Sequence, residues 1–184
     1  MSPVFNNRTF FNPDLELLSE IKLDHEMDLS SFSCEDDDLN DFLMNDAYVS
    51  FIERLSVTYL LLHDIEIIGF YSLCNDCILR KLLPGDDALE GRDYKTYPAI
   101  KLARLARKSS CKSKGIGFEL FIRALEKSNE ISEISGCRFL TVDAYNIPKI
   151  LSFYEDLGFK SVKKVNLGHN TVNMYFNFIN ACNP

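Results

Sequence analysis

Apolar residues recur with two periods along this chain, and the alternation between them sets the order of elements. Leu15–Leu23 fits a strand, after a loose lead-in over residues 1–13. Residues 36–53 read as a helix, because Leu39, Phe42, Leu43 and Ala47 share one face at helical spacing. Asp36, Asp37 and Asp38 sit in its first turn, where the helix dipole favours negative charge, so capping explains this acidic cluster better than metal or substrate binding. Ser56–Leu62 and Glu66–Leu73 are rich in β-branched and aromatic residues and are separated by His63-Asp64, the pattern of an antiparallel hairpin. Residues 84–95 form a polar loop, read as a solvated connection rather than a lid.

Tyr97–Arg107 is a strand of mixed character, followed by a turn and a helix over Gly115–Glu133. The apolar stripe of that helix is Ile116, Leu120, Phe121, Ala124, Leu125 and Ile131. Arg138–Ala144 is a short apolar strand. A helix over 147–157 has Asn146 placed to cap it, Pro148 in its first turn and Gly158 at its end. Its predicted buried face is Ile147, Ile150, Leu151, Tyr154 and Leu157. Phe159–Val165 and Thr171–Phe178 complete the order β, α, β, β, β, α, β, α, β, β, which predicts a mixed α/β (α+β) sheet with helices packed on it.

At 184 residues the chain fits one domain spanning 1–184. With 46% hydrophobic and 26% charged residues it matches ordinary globular composition, which excludes disordered, collagen-like and coiled-coil classes. No apolar run approaches the roughly 20 residues of a membrane helix. Asn6, Asn7 and Arg8 stand where an apolar leader would begin, so a cytoplasmic protein with reduced thiols and no membrane partner is expected. Cys74 and Cys77 form a C-x-x-C within or just after a strand, where positions three apart face opposite sides. Small core hydrophobes are therefore expected there, and no metal. His25, His63 and His169 lie outside every motif and read as surface or structural residues.

The net charge of −7 is unevenly spread. Residues 14–46 carry twelve acids and one base, whereas residues 101–114 carry six bases (Lys101, Arg104, Arg107, Lys108, Lys112, Lys114) and no acid. The basic stretch runs into K-S-K-G-I-G at 112–117, a two-glycine turn between strand and helix. Unpaired N–H groups of such a turn and the helix dipole make an anion site suited to phosphate. Gly115 and Gly117 let a ligand approach the backbone, and Lys112 and Lys114 add charge.

In context these residues identify a resemblance. Strand, K-S-K-G-I-G, amphipathic helix and strand, then N-x₇-Y within F-Y-E-D-L-G-F at 153–159, resemble the GCN5-related N-acetyltransferase (GNAT) superfamily over about residues 15–178. F-S-C at 32–34, I-G-F-Y-S-L at 68–73 and L-A-R-L-A at 102–106 are similar to the branch containing tRNA-acetylating toxins of toxin–antitoxin pairs. The resemblance implies a GNAT-like, mostly antiparallel central sheet with a splayed parallel strand pair, Tyr97–Arg107 against Arg138–Ala144, and flanking helices. The pantetheine arm of acetyl-CoA would lie in that splay as an added strand does. The resemblance further implies that Lys112, Ser113, Lys114, Gly115, Ile116 and Gly117 hold the pyrophosphate. A backbone N–H within Leu105, Ala106 and Arg107 would stabilise the oxyanion. Tyr154, protonated at neutral pH, would return a proton to the leaving thiolate. Asn146 fits a pantetheine contact or a helix cap equally well.

Two departures stand out. Lys112 occupies a position usually held by Gln or Arg, and lysine lacks arginine's bidentate fork. The Ala144-to-Tyr154 spacing is one residue longer than in typical toxin-branch members, which a small bulge would absorb. The implied activity is acetyl transfer from acetyl-CoA to a primary amine, with the α-amine of an aminoacyl-tRNA as the toxin-like acceptor. A small-molecule or peptide amine, or a catalytically silent CoA-binding regulatory module, stays open as the alternative, as do an antitoxin partner and a homodimer. No residue is identified as the general base.

Overall fold

The structure, a computed structural model, describes residues 18–91, 93–112, 115–163 and 170–179. Seven strands are hydrogen-bonded in the order β1-β2-β3-β4-β5-β7-β6: β1 Leu18–Lys22, β2 Val57–His63, β3 Glu66–Leu79, β4 Thr96–Arg107, β5 Phe139–Tyr145, β6 Lys160–Ser161 and β7 Thr171–Asn177. The helices are α1 Asp37–Asp41, α2 Ala47–Ile52, α3 Ile116–Ser135 and α4 Pro148–Asp156. The expected element order holds throughout. The lead-in, residues 164–169 with His169, and Cys182 lie outside the described residues.

The described residues fall into two compact units. One contains residues up to Cys74 together with Leu102–Lys127; the other contains Asn75–Lys101 and the residues from Ser128 onward. β3, β4 and α3 each pass from one unit into the other.

In the first unit, β1, β2 and β3 form an antiparallel meander, with Tyr59 opposite Tyr71 and Lys22 opposite Tyr59. A two-residue turn joins β2 to β3, and Asp64 takes its left-handed position at φ 55°. Leu23, Phe32, Leu43, Ala47, Leu60, Ile67, Phe70 and Ala106 form one buried cluster. Leu43 and Ala47 are buried as the helical spacing requires. The helix over 36–53 is not uniform, however: a π-helical turn at Phe42–Asp46 separates α1 from α2. Asp36 stands at the N-cap, its carboxylate accepting from the Asp38 and Leu39 N–H groups. Gly69 permits a close approach to α3, since a Cβ there would lie 2.6 Å from Leu120 Cδ1 and 3.0 Å from the Ala106 carbonyl oxygen.

In the second unit the core is Ile78, Leu83, Tyr97, Ala99, Phe139 and Tyr175, with Ala88, Leu89 and Val162 packed on it. β5 pairs antiparallel with β7 along its length, and β6 pairs antiparallel with β7. The pair β4–β5 is parallel over only three positions, Ala99–Lys101 with Phe139–Thr141. Both strands then continue, β4 to Arg107 and β5 to Tyr145.

The polar loop at 84–95 departs from the solvated connection expected of it. Asp87 is 1% exposed and accepts from Lys160 Nζ at 2.9 Å, Tyr175 OH at 2.8 Å and Asn177 Nδ2 at 2.8 Å. A buried carboxylate persists only with such donors, and here they tie the loop to β6 and β7. Cys74 and Cys77 both lie in β3, but Cys77 is exposed rather than a core residue. Among the described residues no helix is long and apolar enough to cross a membrane. Nor do three His, Cys, Asp or Glu side chains there converge as a metal site.

Candidate active site

The phosphate-turn residues belong to the first unit. β4 ends at Arg107, and the next N–H groups are taken up locally: Lys108 donates to the Ile68 carbonyl at 2.8 Å and Ser109 to the Ser33 carbonyl at 3.0 Å. A 3₁₀ turn at Ser109–Cys111 buries Cys111 and delivers Lys112 to the surface. Gly115 adopts φ 77°, a conformation costly for any residue with a Cβ. Its carbonyl accepts from Phe118 at 3.0 Å and Glu119 at 3.1 Å, which starts α3. Ile116, Leu120, Phe121, Ala124 and Leu125 bury the stripe that anchors the helix. Nothing lies within 4 Å of where a Cβ would stand on Gly115 or Gly117, so both glycines face open space. Of the sequence-predicted residues here, Leu105 and Arg107 are half-buried, Ala106 is buried, and Ser113 and Lys114 lie outside the described residues.

The basic stretch is not a bare cationic surface. Lys112 Nζ lies 2.9 Å from Glu35 Oε1, and Arg107 NH2 lies 3.8 Å from Glu35 Oε2. Arg104 NH2 is 3.9 Å from Asp38, and Lys108 Nζ is 2.8 Å from Glu66. Glu35 and Asp38 come from the acidic third of the chain. That cluster therefore does more than cap a helix: Asp36 caps, while its neighbours answer the bases.

The second unit holds Tyr154 and Asn146. Tyr154 is buried on α4, with its ring 5.3 Å from that of Phe153 and 5.3 Å from that of Phe159. Burial pushes its phenol up to about 12, so it carries its proton at neutral pH. Tyr154 and Leu157 are buried as expected, but Ile147 is 51% exposed and does not share their face. Asn146 is not the cap. Ile147 occupies the N-cap without a side-chain bond, because Pro148 starts the helix and leaves Asn146 one position too early. The Asn146 N–H donates instead to the Asn170 carbonyl at 2.8 Å.

A polar face in the same unit escaped the sequence reading. Thr141 and Asp143 alternate with buried Leu140, Val142 and Ala144 along β5. Asp143 pairs with Lys101 and accepts from Asn173. Thr141 Oγ donates to Asp76 at 2.5 Å. An aspartate inside an otherwise apolar strand, F-L-T-V-D-A-Y, was the available signal. His25 is exposed beside Asp24, and His63 is half-buried beside Asp64.

No family model matches the chain. It is 26% identical over 133 residues to a tRNA-acetylating toxin of Mycobacterium tuberculosis, covering 72% of this chain and 78% of the toxin. Among solved structures it is similar to AtaT complexed with acetyl-methionyl-tRNAfMet, at 27% identity and TM-score 0.77, covering 89% of this chain and 96% of AtaT. It is also similar to a tyrosine-to-phenylalanine mutant of AtaT bound to the C-terminus of the antitoxin AtaR and acetyl-CoA, at 25% identity and TM-score 0.69 over 90% and 96% of the two chains. The fold is that of the GCN5-related N-acetyltransferases. Within that fold, the chain is similar to a tRNA-acetylating toxin and to AtaT, a protein solved with acetyl-methionyl-tRNAfMet.

Proposed function

We propose that this protein is an acetyl-CoA-dependent N-acetyltransferase whose acceptor is the α-amine of an aminoacyl-tRNA, acting in the cytoplasm and paired with an antitoxin. The observation that carries this reading is the likeness, over nearly the whole chain, to AtaT in complex with acetyl-methionyl-tRNAfMet. The likeness to AtaT bound to acetyl-CoA and AtaR supports the co-substrate and the partner.

The chemistry asks for four things, and this chain's residues offer each. The open turn at Gly115 and Gly117, with Lys112 beside it, receives the phosphates of acetyl-CoA. The backbone of Leu105, Ala106 and Arg107 supplies the N–H that stabilises the oxyanion formed when the neutral amine attacks the thioester carbonyl. As the carbon–sulfur bond breaks, Tyr154 gives its phenolic proton to the departing thiolate. The attacking nitrogen loses its own proton to water or to a carboxylate, and Asp143 on the polar face of β5 is the candidate. Asn146, freed from capping, keeps the role of a pantetheine contact. Because burial holds the Tyr154 phenol at about 12, the acid stays loaded and kcat shows no alkaline limb from this residue below about pH 10.

The test is acetyl transfer from labelled acetyl-CoA to charged tRNA, beside a panel of small amines and peptides. Transfer to charged tRNA is expected. Transfer to free amines alone overturns the acceptor assignment, and no transfer to any acceptor leaves only a CoA-binding module.

A further inference from the structure

Glu35 is the residue that neither capping nor the transfer chemistry absorbs. Resting on the reading of Lys112, Gly115 and Gly117 as a phosphate site, we propose that Glu35 is a built-in counter-ion for that site. It holds Lys112 and Arg107 and so sets the affinity for the phosphate-bearing co-substrate.

Each oxygen of the Glu35 carboxylate has a cation near it. Oε1 meets Lys112 Nζ at 2.9 Å and Oε2 faces Arg107 NH2 at 3.8 Å. These bases flank the 3₁₀ turn Ser109–Cys111, on the approach to Gly115. The backbone on both sides of Glu35 is fixed. Ser33 accepts the Ser109 N–H, Cys34 exchanges two hydrogen bonds with the Asn40 side chain at 2.8 and 3.1 Å, and Asp36 caps α1. The carboxylate is thus presented to the cations by a rigid segment, without searching for them. Its side chain nevertheless remains 56% exposed, and that of Lys112 59%.

That combination suits exchange rather than permanent pairing. An ion pair in water gains little Coulomb energy and is readily screened. A pyrophosphate carries more charge and more acceptor oxygens than one carboxylate, so it displaces Glu35 from the same cations. Each binding event must still break the internal pairs first, which lowers the apparent affinity. Without Glu35 the two cations would stand open, and binding would depend more steeply on salt because the local site would be one unit more positive.

The experiment is calorimetric titration of the full chain with acetyl-CoA at low and physiological salt, for wild type, Glu35→Gln and Asp38→Asn. Asp38→Asn removes the same charge from the same segment, but at the carboxylate facing Arg104, and controls for net charge. Thermal unfolding of each variant checks that it is folded. Glu35→Gln is expected to bind about 3–10-fold tighter at low salt, with a steeper salt dependence, and Asp38→Asn to change affinity less than twofold. Unchanged or weaker binding by Glu35→Gln overturns the assignment, showing Glu35 to be inert or to orient the cations. Equal tightening by both variants also overturns it, since bulk charge would then be the cause. A wild-type chain that binds no acetyl-CoA at millimolar concentration removes the acetyltransferase reading together with the counter-ion. A wild type that binds, with an indistinguishable Glu35→Gln, removes the counter-ion alone.

Discussion

Asp87 and Glu35 both hold cations, under opposite conditions of solvent. Asp87, in the unit built around β5 and β7, is a residue of the 84–95 loop sealed at 1% exposure, and it takes bonds from Lys160, Tyr175 and Asn177. Burial opposes its ionisation, yet the bonds from Lys160, Asn177 and Tyr175 outweigh it and lower the carboxyl to about 2. Glu35, in the unit carrying the start of α3, keeps its carboxylate more than half exposed while it pairs with exposed Lys112 and half-buried Arg107. A carboxylate deprived of water must be fully bonded and cannot be exchanged without loosening the fold; one left in water contributes little to stability and can give up its partners to a ligand. The same side-chain chemistry is thereby architectural at Asp87, while at Glu35 it is left exchangeable.

Removing Asp87 should break the first half of this comparison most severely. Asp87→Ala leaves the buried Tyr175 hydroxyl and Asn177 amide without their acceptor, an expected loss of about 2–5 kcal/mol in urea unfolding. A loss below about 1 kcal/mol would mean the loop is not anchored there.

Tyr154 is the second buried group of that unit, and its value should lie in chemistry rather than stability. Tyr154→Phe keeps the packing against Phe153 and Phe159 and should lower kcat about 100-fold, with the melting temperature nearly unchanged. An equal kcat would remove it from the reaction.

Acid titration isolates the contribution of Asp87. The folded-state carboxyl of Asp87 lies below its ordinary 3.8, so its stabilisation is complete above about pH 4 and is lost as the pH falls through about 2. The shift corresponds to roughly 2 kcal/mol, and it should vanish from the acid-unfolding curve of Asp87→Asn. The smallest effect belongs to Glu35. Glu35→Gln should change unfolding stability by less than about 1 kcal/mol, because its carboxylate and the Lys112 ammonium are both more than half exposed. A larger loss would make Glu35 architectural as well.

Much of the local structure around the candidate site was legible in the sequence because it rests on local rules. K-S-K-G-I-G ahead of an apolar stripe fixes a turn and a helix start wherever the chain folds, and Gly115 does take the left-handed conformation such a turn needs. F-Y-E-D-L-G-F likewise places Tyr154 and Leu157 on the buried face of α4 and ends the helix at Gly158. Asn146 was misread because N-cap residues are told apart by single positions. With Pro148 as the first helical residue, the cap falls on Ile147.

The sequence by itself determined the order of strands and helices, the glycine turn before α3 and the burial of Tyr154, since each follows from the periodicity and backbone limits of neighbouring residues. It also showed that acids and bases are segregated along the chain. Only the tertiary structure decided where those charges meet. Glu35 reaches Lys112 across 77 positions of sequence, and Asp87 reaches Asn177 across 90. The energy of a charge depends on its water and its spatial partners, neither of which periodicity records. Folding accordingly turned a polar loop residue into a buried anchor and supplied an apparently bare basic stretch with its own counter-ion.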